Sequence, residues 1–196
     1  MTDIILIQNY LQEVHQSLEE IGRQGLTPIV DMLHRAYLDN VNVYVMGNGG
    51  SASTASHLTA HLQEGIGGQG KGGVRAVCLN DNVPRMTAVA NDFGYESVFV
   101  IQMRGSLSAN DVVIIISGSG ESSNVIKAAE MAKEVGAGII SFTGFGGGRL
   151  HGLADCGLTL SSRQYGPVED VHLTLGHLIP RLLQARIQEA DNNLFI

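Results

Sequence analysis

The chain has 196 residues, with 12 basic and 19 acidic side chains, a formal charge of −7, and 44% apolar against 16% charged residues. That length suits one full-size domain with a substantial core, the apolar share excludes disorder as the main state, and the longest apolar runs, such as Val112 to Ile116, fall far short of the ~20 residues of a membrane span. No Lys/Arg cluster marks a nucleic-acid or anionic-membrane surface, and an N-terminus without a basic signal region together with only two cysteines predicts a reduced, cytoplasmic protein.

From Asp3 to about Arg23, apolar residues recur at three- and four-residue spacing (Ile4, Ile7, Leu11, Val14, Leu18, Ile21), which predicts an amphipathic helix. A second helix is expected from Thr27, with Pro28 in its first turn and Ile29, Met32, Leu33 and Tyr37 as its buried stripe. Beyond Asn40 the pattern changes to short β-rich runs: Val41 to Met46, Val74 to Leu79, Val112 to Ile116, Ile139 to Thr143 and a weaker Gly157 to Leu160. Helical stretches separate them at Ser51 to Glu64, Tyr95 to Met103, Ser122 to Val135 and Arg149 to Ala154. A long final helix is expected from about Pro167 to Gln188, kinked at Pro180. This alternation predicts a parallel five-stranded sheet with crossover helices, a three-layer α/β core over residues 41–160. Helices over residues 1–40 and 167–190 flank it in a single domain, and ligands of such sheets bind beyond the carboxyl ends of the strands.

The 25 glycines cluster in turns that follow strands. Gly47, Gly49 and Ala52 satisfy a G-x-G-x-x-A dinucleotide fingerprint. The acidic residue which that fingerprint wants about 20 positions on is missing, Asp81 lying nearly 30 on, so NAD is a poor fit. The same turn aims backbone N–H groups and the Ser51 hydroxyl at an anion, or else is an empty tight turn. A second turn, Ser117 to Asn124, supplies four hydroxyls and the free N–H groups of a helix start, which suits phosphate oxygens; solvated helix caps have the same composition. Both turns face one edge of the sheet. His57 and His61 stand at i and i+4 on the helix after the first turn, and Glu169 and His177 eight apart on the last helix, with His172 near the same stripe. Three imidazoles and a carboxylate would satisfy a borderline divalent metal such as Zn²⁺; a single histidine on a helix face is as readily packed or solvated. Asn91 and Asp92 read equally as a helix cap and as the polar wall of a pocket.

Taken together, Gly47 to Ala52 with His57, then Ala90 to Tyr95, Ser117 to Ser122, and Glu169 to His177 resemble the SIS (sugar isomerase) domain proteins, and among them the phosphoheptose (sedoheptulose 7-phosphate) isomerases. The resemblance runs from the first helix to the last. It implies a doubly wound, flavodoxin-like sheet with flanking helices, in a homotetramer whose active sites lie where subunits meet. It also implies that Ser117, Ser119 and Ser122 hold a sugar phosphate, with Asn48, Gly49 and Ser51 beside the sugar and Asn91 and Asp92 as further contacts. Phosphoheptose isomerases carry a His and a Glu one turn apart on the first of these helices and a Gln and a His on the last, and some bind zinc with those four. Here the pairs are His57/His61 and Glu169/His177, so one carboxylate has moved to the opposite wall of an expected metal site of His57, His61, Glu169 and His177. Gly118 and Glu121 stand where the family usually has Thr and Asn, and Tyr165 to Val168 replaces a polar approach to the last helix. The expected negative charge of Glu121 beside the phosphate turn leaves the choice of sugar phosphate open.

The implied reaction is aldose–ketose isomerisation of a heptose phosphate. Glu169 or His61 would shuttle a proton through a cis-enediol(ate), His177 would manage the hydroxyl protons, and a metal or imidazolium would steady the oxyanion. The alternative is a non-catalytic SIS protein, like the bacterial regulators that bind the replication-initiator protein and keep the fold while the catalytic helices drift.

Overall fold

The computed structural model describes residues 2–64 and 72–193. Strands β1 (Asn42–Gly47), β2 (Arg75–Cys78), β3 (Val112–Ser117), β4 (Gly138–Thr143) and β5 (Cys156–Thr159) form one parallel sheet in the order β2-β1-β3-β4-β5. All five coincide with the β-rich runs of the sequence. β3, whose six residues are all buried, is central, as a continuous apolar run in a parallel sheet must be. Alternating side chains divide the core in two. Val43 and Val45 of β1 face helices α2 (Thr27–Leu38), α3 (Gly50–Gln63) and α8 (Tyr165–Asn193). Tyr44 and Met46 face α4 (Val83–Phe93), α5 (Val98–Met103), α6 (Ser123–Val135) and α7 (Gly148–Leu153). The result is the expected three-layer, doubly wound sheet.

α4 has no counterpart in the periodicity reading. Only Val89 on it is buried, so no apolar stripe announces it. What starts it is Asn82, whose side chain accepts a hydrogen bond from the Arg85 N–H at 3.1 Å, with Pro84 in the first turn. Where one helix was expected over Tyr95 to Met103, a 3₁₀ turn (Tyr95–Ser97) precedes α5. α8 is longer than expected and stays helical through the buried Pro180. Val168, Val171, Leu175, Ile179, Leu183 and Ile187 form its buried stripe.

α1 (Asp3–Gln24) departs most from its pattern. Of its apolar stripe only Ile21 is fully buried, while Ile4, Ile7 and Leu11 are 58–66% exposed. Among the described residues no helix is long and apolar enough to cross a membrane. Cys78 and Cys156 are free, and burial pushes both thiols up to about 11, so neither is a reactive thiolate.

Candidate active site

β1 and β3 are neighbours, with Gly47 opposite Ile116, and the helices that follow them pack on opposite faces of the sheet. A crevice must open between two such strand ends, and it is here that doubly wound sheets take their ligands. The two Gly/Ser turns form its walls. In the first, Gly47 is obligatory: a Cβ there would lie 2.7 Å from the Ser51 backbone. Asn80 clamps the strand end, its amide accepting from the Gly47 N–H at 3.1 Å and donating to the Gly47 carbonyl at 2.8 Å. In the second, the buried Ser117 hydroxyl accepts from the Gly120 N–H (3.1 Å) and the Ser119 hydroxyl from the Glu121 N–H (3.3 Å). Ser122 caps α6 without a side-chain bond to the helix, which leaves its hydroxyl and the Ser123 and Asn124 N–H groups for an anion.

Asn48 and Asn124 join the walls. Each donates an amide N–H to the other's carbonyl oxygen, at 2.9 and 2.8 Å, and the Tyr95 hydroxyl adds a third bond to Asn48 Oδ1 at 2.9 Å. Most of the Asn48 amide is therefore spent on holding the two turns in register. Asn91 and Asp92, at the exposed end of α4, hydrogen-bond each other (2.8 Å). Tyr95 and Asn124 went unassigned in the sequence, although Tyr95 closes the Asn91-Asp92-Phe93-Gly94 motif and Asn124 follows the serine turn.

Glu121 has a partner that the sequence did not show: its carboxylate accepts from the Arg149 N–H at 2.8 Å and thus caps α7. Gly118 also finds its reason: a Cβ would lie 3.0 Å from the Tyr165 ring, so the glycine and the tyrosine occupy one space that a threonine would fill.

The ionisable groups lie along the seam between α3 and α8. Two glycines allow the helices to approach: a Cβ on Gly50 would strike the Glu169 carboxylate, and one on Gly176 would lie 3.0 Å from the His57 ring. Since 50 meets 169 and 57 meets 176, the helices run in the same sense. Glu169 thus sits at the open N-terminus of α3, where the macrodipole favours a carboxylate. Two turns further on, the rings of His57, His61 and His177 gather with centroids 4.5–5.1 Å apart and one nitrogen from each within 4.8 Å of the others. His57 Nε2 and His177 Nε2 are 3.2 Å apart. Burial first, then the His177 and His61 charges, lowers the His57 pKa and favours its neutral, ligating form.

These three imidazoles fit a cation such as Zn²⁺. Two nitrogens at a tetrahedral ion with bonds of about 2.0–2.1 Å stand about 3.3 Å apart, close to the His57–His177 separation. Glu169, expected as a fourth ligand, is not in the cluster: its carboxylate is directed to Gly50. His172, expected near the same stripe, is wholly buried, with no hydrogen-bond partner for either ring nitrogen and Phe142 6.2 Å away. Burial pushes it down to about 4.

With this geometry established, similarity to known proteins is informative. The SIS domain family matches residues 9–144. A probable phosphoheptose isomerase of Thermoplasma acidophilum is 34% identical over 179 residues, 91% of this chain and 98% of that protein. A phosphoheptose isomerase of Helicobacter pylori is 34% identical over 182 residues, 91% and 94% of the two chains. The solved phosphoheptose isomerase of Neisseria gonorrhoeae superposes with a TM-score of 0.83 at 26% identity, covering 93% of this chain and 96% of that one.

Proposed function

Because this chain belongs to the SIS domain family, we propose that it is a sugar-phosphate aldose–ketose isomerase interconverting sedoheptulose 7-phosphate and glycero-manno-heptose 7-phosphate. The observation that carries the reading is the seat of the Glu169 carboxylate on Gly50, the first residue of the helix that leaves the β1 turn. A carboxylate base thereby lies beside a cradle suited to a phosphate ester. The heptose phosphate itself comes from the names of the relatives.

The hydroxyls of Ser117, Ser119 and Ser122 and the N–H groups opening α6 hold the phosphate. Asn48, Gly49 and Ser51 line the sugar, with Asn91 and Asp92 on the rim. Glu169 takes the proton from the carbon beside the carbonyl, the electron pair moves into a cis-enediol(ate), and the resulting carboxylic acid returns the proton to the adjacent carbon. His177, exposed at the seam, moves the hydroxyl proton from one oxygen to the other when no cation holds its nitrogen. Glu169 is preferred to His61 as the base because His61 belongs to the three-imidazole cluster. His57, His61 and His177 would hold Zn²⁺, which when bound supplies polarisation of the substrate carbonyl.

The exposed face of Ile4, Ile7 and Leu11 is read as a subunit contact in a cytoplasmic homotetramer with active sites where subunits meet. Incubation with sedoheptulose 7-phosphate tests the function: product analysis finds an aldoheptose 7-phosphate, and elemental analysis of the same sample finds zinc. Sugar phosphate that binds and is recovered unchanged overturns the isomerase and favours the non-catalytic regulator.

A further inference from the structure

Three imidazoles bring no negative charge to a cation, and the Glu169 carboxylate is turned to Gly50. One carboxylate does touch the cluster. Glu64 Oε2 lies 3.2 Å from His61 Nδ1, three residues on and on the same side of the last turn of α3. Glu64 is the C-cap residue, with φ −57° and ψ 126°, so the helix ends where its side chain can turn back to the ring. A carboxylate only accepts hydrogen bonds, so the nitrogen facing it must carry the proton. The imidazole is then held as the Nδ1–H tautomer, with the Nε2 lone pair free.

We propose that Glu64 is a positioning residue for a divalent cation at His57, His61 and His177: it fixes the tautomer and ring orientation of His61 so that Nε2 ligates. The arrangement is a carboxylate–imidazole–cation relay, in which the outer carboxylate raises the basicity of the ligand. The inner set stays uncharged and imidazole-only, which selects Zn²⁺ or Co²⁺ over Mg²⁺ or Ca²⁺. The proposal rests on reading the imidazole cluster as a cation site. Fold stability does not explain the contact, because with the Glu64 side chain 73% exposed the pair adds little to folding.

The test is made on the full-length chain stripped of metal by chelation. Zn²⁺ affinity is measured by competition with a chromophoric chelator, and the His61 tautomer by ring-nitrogen NMR without metal. The parent protein binds Zn²⁺ and shows His61 protonated at Nδ1. Glu64→Ala binds Zn²⁺ about 10–100-fold more weakly and loses the Nδ1–H preference, with an unchanged melting temperature. Glu64→Gln, which keeps a hydrogen-bond acceptor, falls between the two. Glu64→Ala with parental affinity and an unaltered His61 tautomer overturns the role of Glu64 while leaving the cation site intact. A parent protein that takes up no Zn²⁺ overturns the cation site and the role of Glu64 with it, and leaves the Glu169 chemistry standing.

Discussion

The two walls of the site are built on different principles. The crevice between β1 and β3 is held by hydrogen bonds that its polar groups make with one another: Asn48 with Asn124 and Tyr95, Asn80 with Gly47, Ser117 with the Gly120 N–H. The α3/α8 seam is held by packing, with glycines at 50 and 176 and apolar residues beneath, and its ionisable groups face one another with few fixed partners. A self-satisfied turn presents preset donors to a ligand, whereas groups left with spare lone pairs can take up a proton or a cation. In the proposed function, the crevice binds and the seam reacts.

The largest effect falls on the seam. Glu169→Gln keeps shape and packing but removes the base, so kcat drops about 10²–10⁴-fold with little change in KM or melting temperature; steady-state kinetics checks this. Near-normal turnover would take Glu169 out of the mechanism.

The footing of the seam responds to acid. His172 titrates at about 4 in the folded chain against about 6.5 in the unfolded one. Between those values the unfolded chain binds the extra proton, so stability falls as pH falls, by about 3 kcal/mol at pH 4 and by nothing above pH 7. Denaturant melts of the parent and of His172→Leu across this range check the sign, because the variant lacks this component of the acid slope.

The glycine seats sharpen the comparison further. Gly50→Ala pushes the flexible end of Glu169 aside without touching backbone, and kcat falls about 10–100-fold, as displacement of a catalytic group by about 1 Å does, while stability holds. The smallest expected effect lies in the crevice. Ser122→Ala removes one hydrogen bond to a charged phosphate, worth about 1.5–3 kcal/mol, and raises KM roughly tenfold or more with kcat unchanged. A kcat defect from Ser122→Ala, or a pure KM defect from Gly50→Ala, would erase the division between the walls.

Much of this was legible from residue patterns because the signals are local. The strands are continuous apolar runs, the turns carry their own glycines and hydroxyls, and His57 and His61 share a face by spacing alone. What escaped depends on tertiary direction. Spacing along α8 could not tell that Glu169 turns to Gly50 and His177 to His57, or that Glu121 caps a distant helix at Arg149. α4 carries too few buried residues to show a period, though Asn82 and Pro84 mark its start. The stripe of α1 is a true amphipathic pattern whose first half no described residue covers. Glu64 was open to notice, three residues after His61, but a Glu at a helix end is ordinarily a solvated one.

The division of labour is tested most directly by following deuterium from heavy water into sedoheptulose 7-phosphate, beside equilibrium binding of the same sugar phosphate. The parent protein should bind and incorporate deuterium at the carbon beside the carbonyl, whereas Glu169→Gln should bind as tightly and incorporate almost none. Exchange by Glu169→Gln at the parental rate, or loss of binding in that variant, would contradict the assignment of binding to the crevice and of proton transfer to the seam.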